Sequence, residues 1–236
     1  MNTLGQRLHD ARKRRGYTQD SLAREIGAAV AVECRARGIG LLLGPGMNIR
    51  RHPLTARNFE YYSEDPCLSG EMAAGMIKGI QGEGVGACVK HFACNNSDTR
   101  RTRLNCMVEP RALHEIYLAG FERAIKKAAP AAVMGSYNQI NGEQACESPG
   151  LLNHVLRELW GFKGTVLSDW GAVKDSVKAV KAGLDLQMPH SIQYMDSVKK
   201  ALETGELSSQ DLDEHCERIL SLVFTYSMEG RERPKV

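Results

Sequence analysis

Between residues 39 and 189 the chain alternates short runs of β-branched and aliphatic residues with longer stretches whose apolar positions recur at helical spacing. The two periods in alternation predict strands joined by crossover helices, and therefore a parallel sheet. Strands are expected at 39–43, 85–89, 132–136, 165–168 and 184–188. Helices are expected near 66–82, 110–128, 149–160, 172–182 and 192–204, with a last one near 209–225. Glu109-Pro110 and Ser148-Pro149 mark two helix starts, because a first-turn proline gives up only a donor that would lack an acceptor there.

Each predicted strand is followed by polar or ionisable residues: Gly44-Pro45-Gly46-Met47-Asn48, Lys90-His91-Phe92, Tyr137-Asn138, Asp169-Trp170 and Pro189-His190. In a β/α barrel these strand ends share one face, the face that carries chemistry. An open doubly wound sheet would announce a nucleotide with G-x-G-x-x-G, which Gly44-Pro45-Gly46 does not match. The expected fold class is therefore α/β, a TIM-barrel-like (β/α) arrangement that is incomplete, with about five of the eight strands of a closed barrel. Open sheet edges expose unpaired backbone, so self-association through them is expected. Asp169 stands where the 165–168 strand turns into a helix; an aspartate there either caps that helix or serves the site.

Residues 4–27 differ from the rest. Leu4, Leu8 and Ala11 mark one helical face, Gly16 stops that helix, and Thr18 caps a second with Leu22, Ala23 and Ile26 facing inward. The segment resembles the first two helices of a lambda-repressor-like helix-turn-helix. Ala28-Ala29-Val30-Ala31-Val32 is not recognisable as the recognition helix that should follow, which argues against sequence-specific DNA binding. The same stretch also reads as one amphipathic helix running on towards Gly38. The expected division is a helical segment at 1–27 and a partial barrel domain at 28–236.

Among 236 residues, 42% hydrophobic and 25% charged content supports a globular core and excludes disordered and fibrous classes. A net charge of +3 gives no global field for nucleic acid or an anionic membrane. Seven cysteines, an odd and scattered set without a C-x-x-C pair, fit reduced thiols in a cytoplasmic protein rather than a zinc site or a disulfide framework. No apolar run is long enough to span a membrane and no export leader is seen. No metal or organic cofactor is implied.

Five ordered motifs carry a family resemblance: Leu42-Leu43-Gly44-Pro45-Gly46-Met47-Asn48-Ile49, Arg57-Asn58-Phe59-Glu60-Tyr61-Tyr62-Ser63-Glu64-Asp65-Pro66, Lys90-His91-Phe92-Ala93, Ser136-Tyr137-Asn138 and Val166-Leu167-Ser168-Asp169-Trp170. From about Leu22 to Phe224 the chain resembles the N-terminal barrel domain of family 3 glycoside hydrolases, on the β-glucosidase and β-xylosidase side. The N-acetylglucosaminidase branch carries a second His-Gly-Asp element that is missing after Lys90. The resemblance implies a retaining glycosidase acting on a β-linked glycoside or oligosaccharide. It implies Asp169 as the nucleophile, Arg57, Lys90 and His91 as hydrogen-bonding partners of the sugar hydroxyls, Tyr137 as a neighbour of the nucleophile, and Met134 and Trp170 as apolar walls.

Retaining hydrolysis uses two carboxyl groups about 5–5.5 Å apart. In the family the second, the acid/base, comes from a domain after the barrel, and a further sugar-binding aspartate comes from an early strand; neither is matched here. A weak or inactive hydrolase is the expectation for the chain as given. Two other readings stand beside it. Lys90 could be a Schiff-base lysine of an aldolase-like barrel with His91 as proton shuttle, or the chain could be a transcriptional regulator with a sugar-sensing body.

Overall fold

The computed structural model describes residues 3–230 and Pro234. Four parallel strands form the main sheet: β1 (Leu41–Leu42), β2 (Gly86–Phe92), β4 (Ala132–Gly135) and β7 (Thr165–Ser168), in the order β1-β2-β4-β7. Sequential parallel neighbours with helical crossovers make an arc of a β/α barrel. Side chains alternate across it: Val89, Val133 and Val166 face the helices, while Cys88, Met134 and Leu167 gather on the inner face.

The fifth predicted strand, 184–188, is reduced to a single bridge between Leu167 and Leu186. The reason is local. The Val166 N–H, which a fifth strand would use, is taken by the carboxylate of Asp185 at 2.7 Å, and Met188 N donates to the Ser168 hydroxyl at 2.8 Å. A small second sheet was not foreseen: β3 (Asn105–Cys106), β5 (Gln139–Ile140) and β6 (Glu143–Gln144), in the order β3-β5-β6. Its hairpin turns on Asn141-Gly142, with φ of 50° and 93°, the left-handed pair that such turns require.

Helix α1 (Leu4–Arg14) has no buried residue, and Leu4 and Leu8 stay exposed. Helix α2 (Gln19–Ala36) is capped by Thr18 and runs unbroken, so the place of a recognition helix is taken by its second half. Its buried stripe is Ala23, Gly27, Ala31 and Cys34; Ile26, expected inside, lies at the margin and is exposed. This stripe packs on α3 (Pro66–Gly82) at close range. A β-carbon on Gly27 would run into the Met76 carbonyl, and one on Gly79 into the Arg24 carbonyl.

The helix expected at 110–128 is α4 (Pro110–Ala112), a π-helical stretch Leu113–Leu118 and α5 (Ala119–Ala128). The one expected at 149–160 is the π-helix Gly150–Leu159. The next, expected from 172, begins only at Ser176: the Asp175 carboxylate accepts from Val177 N and Lys178 N and caps α6 (Ser176–Ala182). Helices α7 (Ile192–Glu203) and α8 (Ser209–Tyr226) complete the order. Under the helices, Phe92 meets Phe121 and Trp160 edge to face at 5.3 and 5.7 Å.

Candidate active site

At the carboxyl ends of β2, β4 and β7 the chain leaves the sheet and gathers its ionisable side chains. The end of β2 carries Lys90 and His91, where the ladder to β4 shifts register. The buried Asn48 clamps this point: its Oδ1 accepts from His91 N at 2.8 Å and its Nδ2 donates to His91 O at 2.9 Å. Asp169 follows β7, its backbone N–H bound to Gly135 O at 3.1 Å. Arg57 reaches in from a 3-10 turn, Ala56–Glu60, that is tied down where Arg57 N donates to Asp98 Oδ2 at 3.0 Å.

The Asp169 carboxylate is held by one oxygen and open at the other. Oδ1 accepts from Trp170 N at 2.7 Å. Oδ2 lies 3.5 Å from His91 Nε2 and 3.8 Å from Arg57 Nη1, buried and without a hydrogen bond among the described residues. Burial, with the nearby Arg57, Lys90 and Arg101 cations, pushes the His91 imidazole down to about 2. His91 is therefore neutral, and its contact with Asp169 is that of a ring dipole rather than an ion pair. Its Nδ1 meets the Tyr61 hydroxyl at 3.1 Å.

Glu60 joins the two cations. Its Oε1 accepts from Arg57 Nε, and its Oε2 lies 3.4 Å from Lys90 Nζ. Burial opposes the charge of Arg57, but the bond to Glu60 and the proximity of Tyr61, Glu60 and Asp169 outweigh it and raise the guanidinium above its ordinary value. Tyr137 stands beside Asp169; burial and then the carboxylate charge raise its phenol. Met134 is buried on the inner face with Leu167.

Of the residues singled out in the sequence, Asp169, Arg57, His91 and Tyr137 thus meet directly, Lys90 joins through Glu60, and Met134 lies in the inner cluster of the sheet. Trp170 touches Asp169 through its backbone, while the residue is 65% exposed. Sequence reasoning missed Glu60, Tyr61 and Asn48. For Glu60 a signal existed, since opposite charges three residues apart on a helical turn sit side by side.

The Glycosyl hydrolase family 3 N terminal domain matches residues 11–222. The chain belongs to this family. Thermostable β-glucosidase B of Acetivibrio thermocellus is 51% identical over 204 residues, covering 86% of this chain and 27% of that protein. An exo-α-(1→6)-L-arabinopyranosidase of Bifidobacterium breve is 45% identical over 202 residues, again covering 86% and 27%. Among solved structures, β-glucosidase 3B of Thermotoga neapolitana in complex with glycerol superposes with a TM-score of 0.85 at 46% identity, covering 89% of this chain and 32% of that one. The chain thus spans about a quarter to a third of the length of these family 3 relatives. Their barrel domain supplies the α/β fold that the arc β1-β2-β4-β7 belongs to. No helix among the described residues is long and apolar enough to cross a membrane, and all seven cysteines are free.

Proposed function

We propose that this chain carries the sugar-binding, nucleophile-bearing site of a retaining β-glycosidase, with Asp169 as nucleophile. The observation that carries the reading is the asymmetry of that carboxylate: Oδ1 is fixed by Trp170 N, and Oδ2 is buried, unbonded and flanked by Arg57 and His91. An oriented oxygen with a free lone pair attacks the anomeric carbon, the bond to the leaving oxygen breaks, and a glycosyl ester forms that water later hydrolyses. Arg57, Lys90 and neutral His91 surround the sugar with donors, and Tyr137 stands at the nucleophile. Met134 and Trp170 serve as apolar walls.

The acid/base is not assigned to Glu60, which is held by Arg57 and Lys90. Relatives named as β-glucosidases support a gluco-configured sugar, and the arabinopyranosidase admits a pentopyranose. Intact-mass spectrometry after incubation with 2-deoxy-2-fluoro-β-glucosyl and xylosyl 2,4-dinitrophenolates tests the reading, because this leaving group departs without a proton. The expected result is one glycosyl adduct on Asp169, lost in Asp169→Asn. Folded protein that takes up no adduct from either reagent sinks it.

A further inference from the structure

Two helices leave open stripes whose chemistry runs in opposite order. On α1 the positions 4, 8, 11 and 15 share one face. Leu4 and Leu8 occupy its first half, 64% and 62% exposed, and no residue of the helix is buried. Its second half is basic: Arg12, Lys13, Arg14 and Arg15 follow one another and make no ion pair among the described residues. Of these four side chains only Arg12 is engaged among the described residues, donating to Tyr17 O.

On α8 the positions 213, 217, 220 and 224 have the same spacing and share a face in the same way. Here charge comes first. Asp213 and Glu217 are exposed and unpaired among the described residues, whereas Asp211 is spent on capping at Ser208 and Glu214 on Arg218 at 3.3 Å. Leu220 and Phe224 follow, both exposed, Phe224 to 78%.

Laid antiparallel, the stripes meet in register. Leu4 and Leu8 stand about 6 Å apart along their helix, as do Phe224 and Leu220, and the next step to Arg15 or to Asp213 is about 10.5 Å in both. Leu4 thus falls on Phe224, Leu8 on Leu220, and Arg14 and Arg15 on Glu217 and Asp213. Apolar surface meets apolar surface and cation meets carboxylate. Within one chain both stripes stand open. The 18 residues of α2, about 27 Å of continuous helix, separate the turn after α1 from Gly40, which packs against the Tyr226 carbonyl at the end of α8.

We infer that the partner is a second copy of this chain, with α1 of one copy docked antiparallel on α8 of the next. Such a contact is head-to-tail and leaves one free stripe at each end, so assemblies grow with concentration until a ring closes. The interface uses neither the glycosidase site nor the open sheet edges. A single helix pair lies at the small end of protein interfaces, so dissociation constants of about 10–100 µM are expected, rising with added salt.

Sedimentation velocity of the full chain over a range of concentrations at low salt tests this, with circular dichroism to confirm that each variant is folded. Arg14→Glu with Arg15→Glu, and separately Asp213→Arg with Glu217→Arg, should each weaken self-association about tenfold or more, since each places like charges face to face. Mixing the two variants, or combining all four reversals in one chain, should restore it. Phe224→Ser should weaken it without touching a charge. A parent that stays monomeric to about 1 mM overturns the proposal. So does association that both reversals leave unchanged, which would run through another surface such as the sheet edges, or a loss that the combined reversals do not recover. A monomer that instead co-sediments with phosphatidylserine vesicles through Arg14 and Arg15 would assign α1 to an anionic membrane surface and overturns it as well.

Discussion

Glu60 is the residue on which the candidate site turns, although it touches neither Asp169 nor, in the proposed function, the reacting atoms. Arg57 and Lys90 are both cations, and without a shared counter-charge they would repel each other and be free to swing towards solvent. One carboxylate fixes both, at Arg57 Nε and at 3.4 Å from Lys90 Nζ. Arg57 is thereby left with Nη1 facing Asp169 at 3.8 Å. Replacing Glu60 by Gln keeps the shape and removes the charge, so the effect should fall on sugar binding more than on the chemical step. Labelling of Asp169 is expected to need about 10- to 100-fold more reagent, the scale of misplacing a positioning group, with little change in the saturated rate. Glu60→Asp should recover part of the loss. A saturated rate that drops while the half-saturating concentration stays put would mean that Glu60 acts on the chemistry instead.

Helix packing is the next scale, and here three glycines, Gly27, Gly75 and Gly79, decide how closely α2 and α3 approach. At Gly79 a methyl group would run into the Arg24 carbonyl, whereas at Gly82, in the same helix, nothing lies within 4 Å. Alanine is the better helix former by about 1 kcal/mol at both positions. Gly82→Ala should therefore hold or raise the melting temperature. Gly79→Ala should lower stability by about 1–3 kcal/mol through overpacking, several degrees in Tm. Equal melting temperatures in calorimetry would show that the helices separate without cost. That close approach was not legible in the sequence, because two glycines a turn apart in a helix look the same whether they face a neighbour or water. What was legible follows local rules: Pro66 after Asp65 begins α3, and Thr165 to Ser168 is a strand between glycine breaks. Where the reading failed, an acidic side chain of the expected element itself had taken over a backbone partner. Asp185 takes the Val166 donor and prevents a full fifth strand, and Asp175 delays α6 by capping it. At the site the motifs pointed to Asp169, Arg57 and His91, which converge, while the reach of Glu60 to Lys90 and of Asn48 to His91 joins segments that only the folded chain brings together.

Across the whole molecule, one ionic cluster lies at the opposite end of the sheet from the site and ties three elements together. The Asp185 side chain is fully buried and receives Arg157 Nη2 and Arg218 Nε at 2.8 Å, His215 Nδ1 at 2.6 Å and Val166 N at 2.7 Å. Burial works to raise this carboxyl, but the bond from His215, the Arg157 charge and the remaining donors outweigh it and hold it below the ordinary carboxylate range. His91 is displaced in the same direction, from 6.5 to about 2, chiefly by burial. A group with a depressed folded value gives stability that is complete above its unfolded value and is lost as the pH falls through the gap. The two groups act in different windows. Below about pH 6.5 the unfolded chain protonates His91 and the folded chain does not, a slope of about 1.4 kcal/mol per pH unit. Asp185 adds a second, steeper loss only once the pH drops below the usual carboxylate range. Urea midpoints measured from pH 8 to pH 3 should therefore fall in two stages. His91→Asn should flatten the upper stage. Asp185→Asn should remove its share of the lower stage while costing about 3 kcal/mol at neutral pH, because Arg157 and Arg218 would lose their buried counter-charge. If Asp185→Asn unfolds at the same urea concentration as the parent at pH 7, the cluster does not hold the π-helix Gly150–Leu159 and α8 to the amino end of β7, and acid sensitivity below pH 4 must come from the other carboxylates whose values are lowered, Glu71, Asp175 and Asp211.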